Sequence, residues 1–227
     1  MHDVLLRTYG PQHWWPAQSA FEVVVGAYLT QNTSWKAVER SLDNLRASGV
    51  LSIEGVRVTS IEQLRKLIRP SGFHTRKASA LKAFVELLDR DYSGSLDVMA
   101  SVPIETVRGY LLQLPGVGPE TADAILLYAL GHSVPVADQY LSRLAERHHL
   151  IELPLARGRR GYHTLALLTQ EAFSGDVDRD RQYLYGEFHA LTVELGKAHC
   201  RKIAQCKGCP LEPDLANLPK GGPSHKT

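Results

Sequence analysis

The chain has 227 residues, of which 44% are hydrophobic and 22% are charged, and its formal net charge at pH 7 is +2. This composition excludes a disordered chain and a fibrous protein, and the length suits one large domain or two small ones. No apolar run approaches the roughly 18–20 residues of a membrane span, and the polar start is unlike a secretory signal, so we expect a cytoplasmic protein without membrane contact. Because the net charge is small, any affinity for a polyanion must come from the local placement of charge.

Helical periodicity dominates the chain. The predicted helices are Phe21–Thr30, Trp35–Leu45, Ser60–Ile68, Thr75–Leu88, Pro103–Leu114, Glu120–Leu130, Asp138–Leu150, Gly161–Phe173 and Arg181–Lys197. Strand-like alternation is scarce, and its best example is the short run Gly55–Thr59. We therefore predict an all-α protein with short loops, followed by a flexible polar tail over residues 216–227.

Two glycines lie between predicted helices in the run Leu114-Pro-Gly-Val-Gly118. This spacing permits a tight turn with positive φ and a close approach of the backbone to another molecule. The next helix begins at Pro119, and the free N–H groups of a helix start form an anion site that suits a DNA phosphate. Glycines are also common in plain αα-corners. The pattern thus predicts either a hairpin that binds phosphates without reading base sequence or a purely structural turn.

The three cysteines of the chain, Cys200, Cys206 and Cys209, lie within ten residues of one another. Such a cluster makes a poor disulfide framework and is more typical of a metal-binding loop in a reducing compartment.

The hairpin and its surroundings resemble a known family. The run Leu114–Ile125, followed by Val134–Leu144, is similar to the helix–hairpin–helix and catalytic aspartate of the endonuclease III superfamily of DNA glycosylases. The similarity extends to Leu29–Thr33, Arg69–Ala78 and the cysteines, and it covers most of the chain between residues 13 and 211. The runs Trp14–Pro16 and Thr121–Tyr128 most resemble the 3-methyladenine glycosylases of endonuclease III type.

This resemblance implies a two-lobed helical fold with a DNA-binding cleft between the lobes. Residues 18–132 are expected to form a helical barrel domain with the hairpin, and residues 1–17 with 133–215 a second helical domain with the cysteine loop. The phosphate-binding residues that it implies are Leu114, Gly116, Val117, Gly118 and Thr121. We expect a monomer that binds double-stranded DNA containing damaged bases and is associated with the nucleoid.

Asp138 precedes an amphipathic helix, where aspartate frequently serves as the N-cap. The resemblance makes the same residue the catalytic carboxylate, and the two roles are compatible. Loss of a base leaves an oxocarbenium-like sugar, which a nearby anion stabilises, and the carboxylate can also orient or deprotonate the attacking water.

Bifunctional members of the superfamily carry a lysine two residues after the second hairpin glycine, and its amine forms a Schiff base with the sugar. Glu120 occupies that position here. Because a carboxylate cannot form an imine, the resemblance implies a monofunctional, hydrolytic glycosylase without AP-lyase activity. Glu120 itself is favoured at a helix start by the helix dipole.

The three tryptophans, Trp14, Trp15 and Trp35, either fill a core or line a pocket. The resemblance places base-stacking residues at Trp15, Pro16 and Trp35, and a tryptophan face attracts a positively charged alkylated purine. We therefore expect an alkylated purine such as 3-methyladenine as the excised base. The alternatives are a glycosylase for oxidised, deaminated or mismatched bases, and a non-catalytic helix–hairpin–helix DNA-binding protein.

Two further positions are candidates for DNA contacts. By resemblance, Gln31 is the wedge that fills the gap left by a flipped nucleotide, although a polar helix cap is the plainer interpretation. Arg76 and Lys77 are candidates either for phosphate contacts or for a solvated helix face.

The cysteine spacing resembles the superfamily's iron–sulfur loop, which normally holds a [4Fe–4S] cluster through four thiolates. The fourth position is Leu215 in this chain. Three alternatives stay open: a cluster completed by His199 or Asp214, a zinc site with three cysteines and a histidine, or a loop that binds no metal.

Overall fold

The structure, a computed structural model, describes residues 1–151, 158–175 and 178–216. Within these ranges all regular secondary structure is helical and no strand is present, which confirms the all-α prediction for them. The helices are α1 His2–Tyr9, α2 Ala20–Thr30, α3 Trp35–Ala47, α4 Ile53–Val58, α5 Ile61–Leu67, α6 His74–Tyr92, α7 Leu96–Ala100, α8 Ile104–Leu111, α9 Pro119–Ala124, α10 Gln139–Arg147, α11 Gly158–Ala172, α12 Asp178–Ala198 and α13 Glu212–Ala216. A 3₁₀ turn spans Arg69–Ser71, and a π-helical turn spans Ile125–Ala129. No helix in the described ranges is long and apolar enough to cross a membrane.

The described residues fall into two compact units. Unit 2 is the continuous segment Trp15–Val136, whereas unit 1 combines Met1–Trp14 with the described residues from Ala137 onward. The predicted tail begins at Ala216, the last residue of α13, and residues 217–227 lie outside the described ranges.

Unit 2 is built around α2. The Ser19 side chain caps this helix by accepting the N–H of Glu22, and every residue from Phe21 to Leu29 is buried. α2 packs against α3, α6, α9 and the π-helical turn. A helix that is apolar on all sides needs such a complete covering, because any exposed face would leave apolar surface in water.

The core of unit 1 joins α1, α10, α11 and α12. Leu5 of α1 shares this core with Leu141 of α10, Leu165 of α11 and Leu191 of α12. α1 was not predicted from the sequence, and neither was the short helix α7. Only Leu5 of α1 is fully buried, and the eight residues of this helix, several of them polar, are too few to give a clear helical periodicity.

Two predicted segments differ from the structure. Gly55–Thr59, the best strand candidate, lies within and just after helix α4, whose start is capped by the Ser52 side chain. Gly55 is needed there, since an added Cβ would lie 2.7 Å from the Val50 Cα. The predicted single helix Glu120–Leu130 divides into α9 and the π-helical turn. In a π-helical turn the N–H bonds one residue further back than in an α-helix, which apolar periodicity does not reveal.

Candidate functional site

The hairpin between α8 and α9 adopts the tight turn that its glycines predict. Leu114 O accepts the N–H of Val117 at 3.2 Å, and Gly116 has φ +77°, a conformation that L side chains rarely adopt. Gly118 is the N-cap of α9, and Pro119 is in its first turn. Gly116 is exposed, while the Val117 and Thr121 side chains are buried. Phosphate binding at this hairpin stays a prediction.

Gln31, at the C-terminal end of α2, is connected to the hairpin. Its Nε2 donates to Gly116 O at 3.0 Å and to Thr121 Oγ1 at 2.9 Å. The side chain thereby braces both sides of the turn, and the Thr121 hydroxyl already has a protein partner. The wedge role of Gln31 stays a prediction, and in this structure its amide nitrogen supports the hairpin.

A buried ion pair joins the two hairpin helices. Arg108 of α8 donates to Asp123 of α9 through two parallel contacts, Nε to Oδ1 at 2.6 Å and Nη2 to Oδ2 at 3.0 Å. The Asp123 side chain is 2% exposed and the Arg108 side chain 35%. Such bidentate geometry fixes the relative orientation of the two helices.

Lys77 is buried and its ammonium group is bound by protein oxygens, which contradicts both the solvated helix face and the exposed phosphate contact expected from the sequence. Its ammonium group is buried and donates to Leu29 O at 2.9 Å, to Thr33 Oγ1 at 2.8 Å and to Ser71 O at 2.8 Å. These bonds hold the loop after α2, which carries Gln31, against the 3₁₀ turn. Burial lowers the pKa of Lys77 to about 8.

Two aromatic rings lie beside that of Trp15 in unit 2. The Trp35 ring lies edge-on at a centroid distance of 5.7 Å, and the Tyr128 ring lies at 5.4 Å. All three rings are partly exposed, and neighbouring Pro16 is exposed. The structure thus brings Trp15 and Trp35 together and adds Tyr128, a residue to which the sequence analysis assigned no role. Because the rings are partly exposed and do not stack on one another, a ring face can be presented to a planar ligand.

Gly26 makes room for Trp15 on the face of α2. An added Cβ at Gly26 would lie 3.1 Å from Trp15 Cζ2 and 3.2 Å from its Nε1, tighter than ordinary van der Waals contact. Glycine inside a helix costs about 1 kcal/mol relative to alanine, so a helical glycine needs a packing reason. Here the close approach of the indole supplies it.

We expect Gly26→Ala to displace Trp15, since the new methyl group and the indole cannot both keep their places. The tryptophan emission maximum should shift, while the free energy of unfolding changes by about 1 kcal/mol or less, because better helix propensity offsets the displacement. Gly109→Ala is the matched control: Gly109 also lies inside a helix, but no atom approaches within 4 Å of its added Cβ. An unchanged emission spectrum in Gly26→Ala would show that the missing side chain at Gly26 does not determine the position of Trp15.

Asp138 in unit 1 is the N-cap of α10. Its Oδ1 accepts the N–H groups of Tyr140 at 2.9 Å and Leu141 at 2.8 Å. Its Oδ2 lies 3.7 Å from Nε2 of His189, and both side chains are 7% exposed. The His189 ring in turn lies 5.1 Å from the ring of Trp14. The cap predicted from the sequence is therefore present, and it uses one of the two carboxylate oxygens.

The three cysteines line one small cavity of about 20 Å³, together with Leu215, His148 and His199. The Cys200 Sγ accepts a hydrogen bond from Arg147 Nη1 at 3.0 Å, and His199 Nδ1 lies 3.1 Å from Gln205 O. Burial raises the pKa of the Cys209 thiol, and the nearby Cys206 and Cys200 raise it further. Asp214 is not among the residues lining this cavity.

This donor set does not fit a cluster held by four thiolates, because the apolar Leu215 lines the cavity where the fourth sulfur is needed. Among the described residues, no three His, Cys, Asp or Glu side chains are grouped closely enough to hold a metal ion. A metal in the cysteine loop stays a prediction, and iron and zinc analysis of the purified protein decides it.

The helix–hairpin–helix of unit 2 and the capped, buried aspartate of unit 1 match what the sequence resemblance implies for a base-excision glycosylase. The family model described as "HhH-GPD superfamily base excision DNA repair protein" matches residues 25–157. The chain is 41% identical over 216 residues to "Putative DNA repair glycosylase MJ1434" of Methanocaldococcus jannaschii, covering 93% of this chain and 92% of that protein. The chain belongs to the HhH-GPD superfamily and is a DNA glycosylase of base excision repair.

Two further similarities support this membership. The crystal structure of the H. pylori 3-methyladenine DNA glycosylase MagIII, bound to 1,N6-ethenoadenine, matches with a TM-score of 0.67 and 29% identity, over 85% of this chain and 91% of that one. The chloroplastic endonuclease III homolog 1 of Arabidopsis thaliana is 29% identical over 196 residues. That match covers 86% of this chain and about half, 48%, of the plant protein.

Proposed function

We propose that this chain is a monofunctional glycosylase that excises an alkylated purine, such as 3-methyladenine, from duplex DNA. The partly exposed rings of Trp15, Trp35 and Tyr128 carry the substrate proposal, because an aromatic face attracts a flat base with a positive charge. The 29% identity with a 3-methyladenine glycosylase over most of both chains supports the same substrate class.

Hydrolysis without strand cleavage is the second part of the proposal. Glu120 lies exposed in the first turn of α9, at the position where a Schiff-base lysine is required for lyase chemistry. A cationic base is already a good leaving group, so the protein needs to supply only a negative charge near the sugar and an oriented water. Asp138 is the residue that we assign to both tasks.

A panel of duplexes tests the proposal, each carrying one modified base: 3-methyladenine, uracil, a thymine mismatch or 8-oxoguanine. The released base is identified by chromatography, and each reaction is repeated with borohydride to trap a Schiff base, with a bifunctional glycosylase as the positive control. We expect release of 3-methyladenine and no trapped adduct.

Each other outcome removes a defined part of the proposal. Release from another duplex but not from the alkylated one would replace the alkylpurine assignment with the base that is released. A trapped adduct would show that an amine elsewhere in the chain forms a Schiff base with the sugar, although position 120 carries a glutamate. Release from none of the duplexes would contradict a catalytic role and favour a DNA-binding protein without activity.

A further inference from the structure

Asp138 presents its two carboxylate oxygens to different partners. Oδ1 is occupied by two backbone N–H groups at the start of α10, at 2.9 and 2.8 Å. Oδ2 faces Nε2 of His189, on α12, across 3.7 Å. We propose that His189 is a second catalytic residue, which binds the attacking water together with Asp138 Oδ2. This inference rests on the hydrolytic glycosylase activity proposed above.

The distance between the two side chains favours a shared water over a direct bond. A charge-assisted N–H···O hydrogen bond is about 2.7–2.9 Å long, so 3.7 Å lies well outside that range. One water can lie about 2.8 Å from both atoms, and a polar contact across more than 3.5 Å is commonly bridged in this way. The cap of α10 needs only Oδ1, so Oδ2 and the imidazole are not required for the helix end.

The imidazole is held in place from the other side. The Trp14 ring packs against it at a centroid distance of 5.1 Å and an interplanar angle of 53°. Glu187, two residues earlier on α12, is 3% exposed and accepts the N–H groups of Gln12 and His13, each at 2.7 Å. These bonds fix the segment that leads into Trp14 onto the helix that carries His189. A side chain restrained in this way keeps a water in one orientation.

The assigned reaction balances as a hydrolysis. His189 Nε2–H donates to the water oxygen, and the water donates one proton to Asp138 Oδ2. The second lone pair of the water forms the new bond to the sugar carbon, and the bond from that carbon to the base nitrogen breaks with its electron pair going to the base. The water proton passes to Asp138 and then to solvent, and a cationic base leaves neutral.

The test compares His189→Ala and His189→Gln with wild type on the duplex from which wild type releases a base. The single-turnover rate, the Kd for uncleaved lesion DNA and the melting temperature are measured for each protein. His163→Ala is the matched control, because His163 is exposed on α11 in the same unit. We expect His189→Ala to lower the single-turnover rate about 100-fold with a Kd within about twofold of wild type.

Three further results are expected if the imidazole handles the water. His189→Gln should keep part of the rate, because its amide N–H can donate to the water. Added imidazole should partly restore His189→Ala, and the double variant Asp138→Asn/His189→Ala should be no slower than Asp138→Asn alone, since both act on one water.

A wild-type rate in His189→Ala would overturn the inference and leave the glycosylase activity standing. Equal rate losses in the Ala and Gln variants, with a lower melting temperature and no rescue by imidazole, would assign His189 to packing and also overturn it. If wild type releases no base from any duplex, the proposed function fails, and this inference fails with it.

Discussion

Replacing Asp138 with asparagine is expected to lower base release about 100- to 1,000-fold while leaving the fold and lesion binding intact. Asparagine has a side-chain oxygen that can still accept the N–H groups of Tyr140 and Leu141, so the cap of α10 remains. It lacks the negative charge that stabilises the developing positive charge on the sugar, and losing one preorganised electrostatic group costs two to three orders of magnitude in rate. Single-turnover release from the preferred duplex measures the effect.

Asp138→Ala separates the cap from the charge. Alanine removes both, so we expect the same loss of rate together with a loss of about 1 kcal/mol in the free energy of unfolding. The asparagine variant should lose the rate alone. Full activity of Asp138→Asn would contradict a catalytic carboxylate at this position, whatever the alanine variant does.

Arg108→Ala is expected to lower the free energy of unfolding by about 3 kcal/mol. The substitution leaves the Asp123 carboxylate, 2% exposed, without the guanidinium that contacts both of its oxygens. Breaking a buried ion pair on one side strands a charge in a poorly solvating environment, which costs more than the pair itself contributes. Urea unfolding of the purified variants measures the change.

A double-mutant cycle supplies the control. Asp123→Ala with Arg108→Ala removes both charges, so the double variant should be less destabilised than the sum of the two single variants. Additive losses would show that the two side chains do not depend on each other. Because the pair joins α8 to α9, Arg108→Ala should also weaken binding to undamaged duplex DNA, the binding that we assign to the hairpin between them.

The sequence predicts the long helices and the hairpin because their signals are local. The apolar spacing of Trp35–Leu45, the glycines at 116 and 118, and the aspartate before α10 each act within a few residues, and the structure has a helix, a tight turn and an N-cap at these places. The strand-like alternation of Gly55–Thr59 is also a local signal, but it gave a wrong prediction. Its run is too short for periodicity to separate strand from helix, and the Ser52 cap decides.

Tertiary contacts account for what the sequence analysis missed. Lys77 carries a long polar side chain on a helix, which normally indicates solvent, but three carbonyl and hydroxyl oxygens from separate segments surround its ammonium group. His189 lies 51 positions after Asp138 in the chain, and only the packing of α10 against α12 brings the two together. Tyr128, which lies beside Trp15, is part of a π-helical turn, and apolar periodicity does not predict such a turn.

The discontinuity of unit 1 has a consequence for the order in which the protein is assembled during translation. Unit 2 is one continuous segment, so its core can close as soon as Val136 has left the ribosome. Leu5 belongs to a core whose other fully buried members all follow Val136, and Leu211 is the last of them. Leu5 of the first helix therefore stays uncovered until the residues around Leu211 have been synthesised. Asp138 and His189 can meet only after α12 has also been synthesised, so a nascent chain can have a finished hairpin while the catalytic pair that we infer is not yet formed.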